Sequence, residues 1–278
     1  MGTIGRYEIV KELGHGGMAN VYMAKDPYIK RYVAIKVLSY RFTKDPLFQD
    51  FFYYEAEAIA ALEHPAIVPI YDFGRQGVQP FFVMRHMSAG SLAERLQEGP
   101  LSISEIGSLI GRVAEGLEAA HDQGIFHRDV KPSNILFNQA GEAFLSDFGL
   151  AKFRDRSNQH AGRLFIGTPE YMSPEQIRHE ELDGRSDVYA LGVLLFEALT
   201  GFVPYKGDSA YQTAKAHLYS PIPSIRVIRP HIPDMWDEII QRALAKQPAK
   251  RYPSVGDLAR DVAFAANWQW QFRTSPPS

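Results

Sequence analysis

Residues 127 to 134 read His127-Arg128-Asp129-Val130-Lys131-Pro132-Ser133-Asn134, packing a carboxylate, an ammonium and a carboxamide into one turn-prone loop. Asp129 can accept a hydrogen bond from an attacking hydroxyl, and Lys131 can neutralise charge on a moving phosphoryl group. Asn134 can offer an oxygen to a hard cation such as Mg²⁺. Each residue alone has a plainer explanation, since a loop Asp often caps a turn, a lone Lys is usually solvated and Pro132 can be punctuation. The ordered set is the informative feature, and the chemistry it suits is phosphoryl transfer. A second carboxylate, Asp147, follows the short strand patterns Ile135-Leu136-Phe137 and Ala143-Phe144-Leu145, which flank a turn and bring it beside Asn134. Two oxygen ligands across a small gap suit Mg²⁺, which takes few protein ligands and keeps its own waters.

The elements that must position this loop can be read on either side of it. The pattern Ile103 to Gln123, ended by Gly124, is an amphipathic helix that delivers the chain to the loop. Val188 to Leu199 is apolar but contains Gly192 and Glu197 and is shorter than a membrane span, so a buried helix is expected. Further helices are expected between residues 234 and 266, and Thr274 to Ser278 reads as linker. Near the N-terminus, Leu13-Gly14-His15-Gly16-Gly17-Met18-Ala19 lies between strand-like segments, with Val21-Tyr22-Met23-Ala24 following it. Glycines let backbone N–H groups approach phosphates, but a glycine cluster alone more often marks a hairpin turn. A dinucleotide-binding fingerprint would open a helix, and this cluster leads into a strand.

In order along the chain, these motifs resemble the protein kinase family, in its serine/threonine branch. His127 to Asn134 matches H-R-D-x-x-x-x-N, Asp147-Phe148-Gly149 matches D-F-G, and Ser173-Pro174-Glu175 stands where A-P-E is usual. The third glycine of G-x-G-x-x-G is Ala19 here, a small residue that still permits close approach. The resemblance covers about residues 7 to 266. It implies an α+β, bilobal protein-kinase-like fold: a small antiparallel β lobe with one helix (about 1–84), a hinge (85–88), and a larger mainly helical lobe (89–267), with residues 268–278 as tail and the nucleotide between the lobes. It further implies that ATP lies against Leu13, Gly14, His15, Gly16, Gly17, Met18, Ala19 and Val21, and against Ala34, Lys36, Met84, Arg85 and Met87. Asn134 and Asp147 would hold Mg²⁺, with Mn²⁺ as a substitute, while Asp129 and Lys131 act at the transferring group. Lys36 needs a carboxylate to fix it, and on the helix of residues 46 to 63 Glu55 shares a stripe with Phe48, Phe51, Ile59 and Leu62, whereas Glu57 lies opposite. Asp72-Phe73-Gly74 repeats the D-F-G tripeptide before the catalytic loop, at a strand-to-turn junction, and no function is assigned to it. By resemblance, Glu175 pairs with Arg251 and Asp187 holds the catalytic loop from below.

Composition is compatible with this family. The chain has 278 residues, 30 Lys plus Arg against 32 Asp plus Glu and a formal net charge of −2, so it shows no nucleic-acid or polybasic membrane footprint. Zero cysteines exclude disulfides, thiolate zinc sites and a cysteine nucleophile, and fit a reducing interior. The nine histidines show no ligand spacing for zinc. Met1 to Tyr7 lacks the apolar core of a secretory signal, so a cytoplasmic domain with no membrane segment is expected.

Lys131 and Thr168 resemble the residues that accompany Ser/Thr rather than Tyr phosphorylation, and the loop sequences are most similar to bacterial, eukaryotic-like members. Protein substrates are implied. A pseudokinase scaffold would have lost Lys36, Asp129 or Asn134, and a small-molecule phosphotransferase would lack Gly167 to Glu175; neither is the case. Ser91 and Ser133 stand where arginine-directed members carry Glu, so no strong preference for a basic residue before the acceptor is expected. Between Leu150 and Gly167 the only hydroxyl residue is Ser157. Tyr53 is expected to point away from the interior and Tyr54 to lie on the flank of its helix, forming an edge for a second copy or a regulatory protein that would set the pairing of Lys36 with Glu55.

Overall fold

The computed structural model describes residues 2–15, 19–44, 52–53, 56–57, 59–148 and 169–273. Two compact units emerge, Met1–Ala89 with Phe137–Glu142, and Gly90–Leu136 with Ala143–Ser278. The first is built on six antiparallel strands: β1 (Thr3–Ile4), β2 (Tyr7–His15), β3 (Ala19–Lys25), β4 (Tyr32–Leu38), β5 (Ile70–Gln76) and β6 (Gln79–Arg85), in the order β1-β2-β3-β4-β6-β5. Strand alternation divides the sheet into two faces. One carries a core of Ile4, Tyr7, Ala24, Val33, Ile35, Val37, Phe81 and Val83. Lys36 and Ala34 fall on the other.

Strands β5 and β6 form a hairpin that spans Ile70 to Arg85. Gln76 pairs with Gln79 across a two-residue turn whose Gly77 has φ +60°, a conformation glycine adopts without strain. The repeated tripeptide is structural. Asp72 accepts from the Tyr7 hydroxyl at 2.7 Å and meets the Arg6 guanidinium at 2.8 Å, and a Cβ on Gly74 would come within 2.9 Å of the Phe81 ring.

Residues 52–53, 56–57 and 59–60 are helical, and Phe52, Ala56, Ile59 and Leu62 are buried while Glu57 is exposed. Ile59 and Leu62 belong to the expected stripe; Phe48, Phe51 and Glu55 lie outside the described residues. Tyr53 corrects an expectation. Instead of pointing away, it is half-buried against β5, its hydroxyl accepting from the Arg75 guanidinium at 2.6 Å and its ring meeting Phe73 edge-on at 6.3 Å. The 100° count places a residue relative to its own helix axis and does not register the neighbouring strand. Tyr54 lies outside the described residues.

The second unit is mainly helical, with α1 (Leu92–Leu96), α2 (Ile103–His121), α3 (Pro174–Arg178), α4 (Gly184–Thr200), α5 (Ala210–Tyr219), α6 (Asp234–Ala243) and α7 (Val255–Arg273). Helix α7 continues past residue 267, where the tail is expected to begin. A two-stranded sheet pairs β7 (Ile135–Phe137) with β8 (Ala143–Leu145). Three helices begin in capping boxes, Ser91 with Glu94, Ser102 with Glu105 and Ser173 with Gln176, each cap contributing about 1 kcal/mol. Helix α4 is buried on nearly all sides, and Gly192 permits its close crossing with α6, since a Cβ there would meet that of Ala243 at 2.7 Å. Among the described residues no helix is long and apolar enough to cross a membrane.

Glu175 and Arg251 join distant parts of this unit. Two hydrogen bonds of 2.6 and 2.7 Å link their side chains, Ser186 donates to the carboxylate at 2.7 Å, and the guanidinium also donates to the carbonyls of Ala245 and Arg185. Burial alone would raise the Glu175 carboxyl, but the Arg251 hydrogen bonds and charge hold it below the usual range. Arg251→Met would strand the carboxylate, an expected loss of about 3–5 kcal/mol in urea unfolding at pH 7.5. An unpaired buried carboxyl has a raised pKa, so the variant takes up its proton more readily than the unfolded chain does. The gap to the parent should therefore narrow as pH falls toward the carboxylate range; a gap independent of pH would contradict this.

Candidate active site

On the sheet, registry collects the residues expected to meet ATP. Val21 pairs with Lys36, Ala34 with Met84 and Lys36 with Phe82, so Val21, Ala34, Lys36 and Met84 share the face opposite the Val33–Ile35–Val37 core. Lys36 is buried, its ammonium 5.6 Å from the centre of the Phe82 ring. At the hairpin end Gly14 pairs with Val21 and His15 with Asn20, after a register shift between Glu12 and Gly14 that frames Leu13. The His15 ring lies 2.9 Å from Asn20 Oδ1 and 2.8 Å from Glu12. The glycine cluster thus joins two strands, as the kinase-type loop does; Gly16, Gly17 and Met18 themselves lie outside the described residues, as does Glu55. Arg85 is the last residue of β6, one beyond the expected strand end, and its N–H donates to Pro69 O at 3.1 Å. Met87 is half-buried just beyond it.

The catalytic loop is organised from beneath by Asp187, in the first turn of α4 and fully buried. One oxygen accepts from the Arg128 N–H at 2.7 Å; the other accepts from the His127 N–H and from His121 Nε2, both at 2.8 Å. Burial opposes its charge, but the hydrogen bond and charge of His121 and the Arg128 N–H keep the carboxyl below the usual range. Arg128 sits at φ +64°, a region that non-glycine residues enter at a cost of about 1–3 kcal/mol. Asp187 on its N–H and Gln176 Nε2, 2.7 Å from its carbonyl, hold it there.

Above this base the functional side chains converge. Lys131 Nζ lies 2.7 Å from Asp129 Oδ2, and Asn134 Nδ2 donates to the Asp129 carbonyl at 2.9 Å and to Oδ2 at 3.2 Å. With its amide nitrogen so engaged, Asn134 has Oδ1 as the atom that would serve a hard cation. The Asn134 carbonyl accepts from the N–H and hydroxyl of Ser146 at 2.9 and 3.1 Å, fixing Asp147, the next residue, beside it at φ +62°. His127 is fully buried against the Phe148 ring, 4.5 Å away. Its Nδ1 accepts from the Asp129 N–H at 3.3 Å, so Nε2 carries the proton and donates to Ser146 O at 3.0 Å. Burial holds its pKa below the usual value despite the nearby Asp187, Asp129 and Asp147 carboxylates, keeping it a neutral spacer.

His121, Gln176 and Ser146 escape a sequence reading. Each works through a partner remote in sequence or through the backbone, and the types are common on any helix or strand end. Thr168 lies outside the described residues.

The protein kinase domain model matches residues 7–261. The chain is 40% identical over 256 residues to the serine/threonine-protein kinase PknH of Mycobacterium bovis, covering 92% of this chain and 43% of that protein. It is 38% identical to PrkC of Bacillus subtilis, covering 94% and 40% respectively. The chain thus spans about two fifths of the length of these relatives. Among solved structures, the PknI kinase domain of Mycobacterium tuberculosis superimposes with a TM-score of 0.75 at 27% identity, covering 95% of this chain and 97% of that one. Motifs in order, loop geometry and match together assign the chain to a family: it belongs to the protein kinases.

Proposed function

We propose that this chain is the catalytic domain of a bacterial serine/threonine protein kinase, which transfers the γ-phosphoryl group of ATP to Ser or Thr hydroxyls of protein substrates. The observation that carries the proposal is the Asp129 carboxylate, held by Lys131 and Asn134 in one loop over Asp187. Asp129 orients the acceptor hydroxyl and draws its proton as attack proceeds, while Lys131 offsets charge on the transferred group. On the nucleotide side, Lys36 takes the α and β phosphates beneath the glycine loop from Leu13 to Ala19, and Glu55 fixes Lys36. Val21, Ala34 and Met84 wall the adenine, and because the Arg85 N–H serves Pro69, adenine contacts are assigned to the Arg85 carbonyl and the Met87 backbone. Asn134 and Asp147 would hold Mg²⁺, or Mn²⁺ in its place, which neutralises phosphate oxygens when bound. Thr168 and Lys131 favour Ser/Thr over Tyr as acceptor. A cysteine-free domain that uses ATP fits the cytoplasm.

Phosphate transfer from labelled ATP to a generic protein substrate should fall by roughly 10²-fold or more in Asp129→Asn, with the unfolding midpoint little changed. Full turnover in that variant would sink the role of Asp129. A peptide library should be phosphorylated at Ser and Thr but not Tyr, without selection for arginine before the acceptor; strong arginine selection would contradict the reading of Ser91 and Ser133.

A further inference from the structure

The hairpin that carries the glycine cluster has an irregular ladder. Strand β2 slips against β3 between Ile9 and Lys11 and again between Glu12 and Gly14, so that beyond the second slip the register holds two pairs, Gly14–Val21 and His15–Asn20. Each slip disrupts the ladder locally and bends the strand. Three side chains bridge the second one. His15 Nδ1 lies 2.8 Å from Glu12 Oε1 and 2.9 Å from Asn20 Oδ1. The Asn20 amide nitrogen is directed to the Tyr22 hydroxyl at 3.5 Å, which leaves Oδ1 for the ring. Both atoms facing Nδ1 are acceptors, so Nδ1 carries a proton and shares it between them as a three-centre bond, whatever the charge of the ring. Glu12 stands before the slip, His15 after it and Asn20 on the opposite strand, so one donor spans the interruption. The bridge also has a definite side. Asn20 alternates with Val21, and Tyr22 packs against the core of Tyr7, Ala24 and Val33, so the bridge lies on the face opposite Val21, Ala34 and Lys36. The His15 side chain is 72% exposed, so core packing does not account for its placement.

We propose that Glu12, His15 and Asn20 are nucleotide-positioning residues: their shared bond braces the hairpin from the face away from the nucleotide, holding the strand ends between which Gly16, Gly17 and Met18 fall in sequence. This rests on the ATP reading of Leu13 to Ala19 given above, and it gives His15 an indirect part in place of a direct contact. The apparent affinity for a ligand is the intrinsic affinity scaled by the fraction of molecules in the competent form. Loosening the strand ends lowers that fraction. The brace therefore acts on ATP affinity and leaves the groups around Asp129 alone.

Equilibrium binding of ATP with Mg²⁺ and steady-state kinetics with one acceptor peptide, on His15→Leu, His15→Asn, Asn20→Ala and the His15→Leu, Asn20→Ala double variant, test it. His15→Leu keeps the bulk and removes the donor. It should weaken ATP binding and raise the KM for ATP by roughly three- to fivefold, the range of an exposed charge-assisted bond, with kcat and the peptide KM within about twofold of the parent. His15→Asn, whose amide nitrogen reaches where Nδ1 does, should restore most of that loss. Asn20→Ala should weaken ATP binding on its own but add little to His15→Leu, because the bond is already gone. If the two effects multiply instead, the side chains act independently and the brace is refuted. If the parent binds ATP and His15→Leu binds it equally well, the brace is refuted while the nucleotide reading stands. If the parent does not bind ATP, the nucleotide reading fails and takes this proposal with it. Equal loss in His15→Leu and His15→Asn, with lowered kcat and a lowered unfolding midpoint, would mean a structural role only and would also overturn it.

Discussion

A buried carboxylate that directs most of its hydrogen bonds into the catalytic loop is the constraint on which the site depends. Asp187 has no exposed surface, so its oxygens must be met by donors within the fold, and two of the three are the N–H groups of His127 and Arg128. Hydrogen bonds to an ionised group contribute about 1.5–3 kcal/mol each, enough together to exceed the cost of holding Arg128 at positive φ. The order of causes follows from this. Asp187 fixes the backbone from His127 to Arg128, that backbone directs Asp129, and Asn134 and Lys131 then bind its carboxylate. Neutral His127 underpins the same loop from inside, bridging Asp129 N–H to Ser146 O.

The same logic separates the two copies of one tripeptide. Asp72 spends its carboxylate on Tyr7 and Arg6 and its glycine on the space beneath Phe81, all within the sheet. Asp147 stands at positive φ just after β8, in register with Asn134 through Ser146. Composition is identical and the surroundings differ, because one tripeptide continues a ladder and the other leaves it. Sheet alternation performs a similar sorting among apolar strands. Val33, Ile35 and Val37 build the core, while Ala34 and Lys36, their immediate neighbours, face the other side of the sheet.

The helical unit supplies rigidity at some distance from the reacting groups. Glu175 and Arg251 join α3 to the segment before α7, and α4 runs through the centre with Gly192 admitting α6. Helix α4 carries Asp187 in its first turn and Glu197 near its end, so one buried helix supports both the catalytic loop and Tyr171. Displacing either end would disturb the other through a rigid body.

Much of this was legible from residues alone, for a physical reason. Helix periodicity, the strand pairs around Asn138 to Gly141 and the spacing of Asp129, Lys131 and Asn134 are local, and local geometry is encoded over a few residues. The ordered motifs then carried the fold class and the family, since each alone is weak and their sequence along the chain is not. What the tertiary structure decided is what crosses long stretches of chain. Asp187 lies 60 residues from His127, a contact that the family resemblance implied and no periodicity could; Gln176 lies 48 from Arg128 and Tyr189 lies 28 from His217, and nothing in the sequence related these. Tyr53 is the case where local geometry misled: its angle about the helix is set by the helix, but its surroundings are set by β5, which arrives from elsewhere in the chain to cover it.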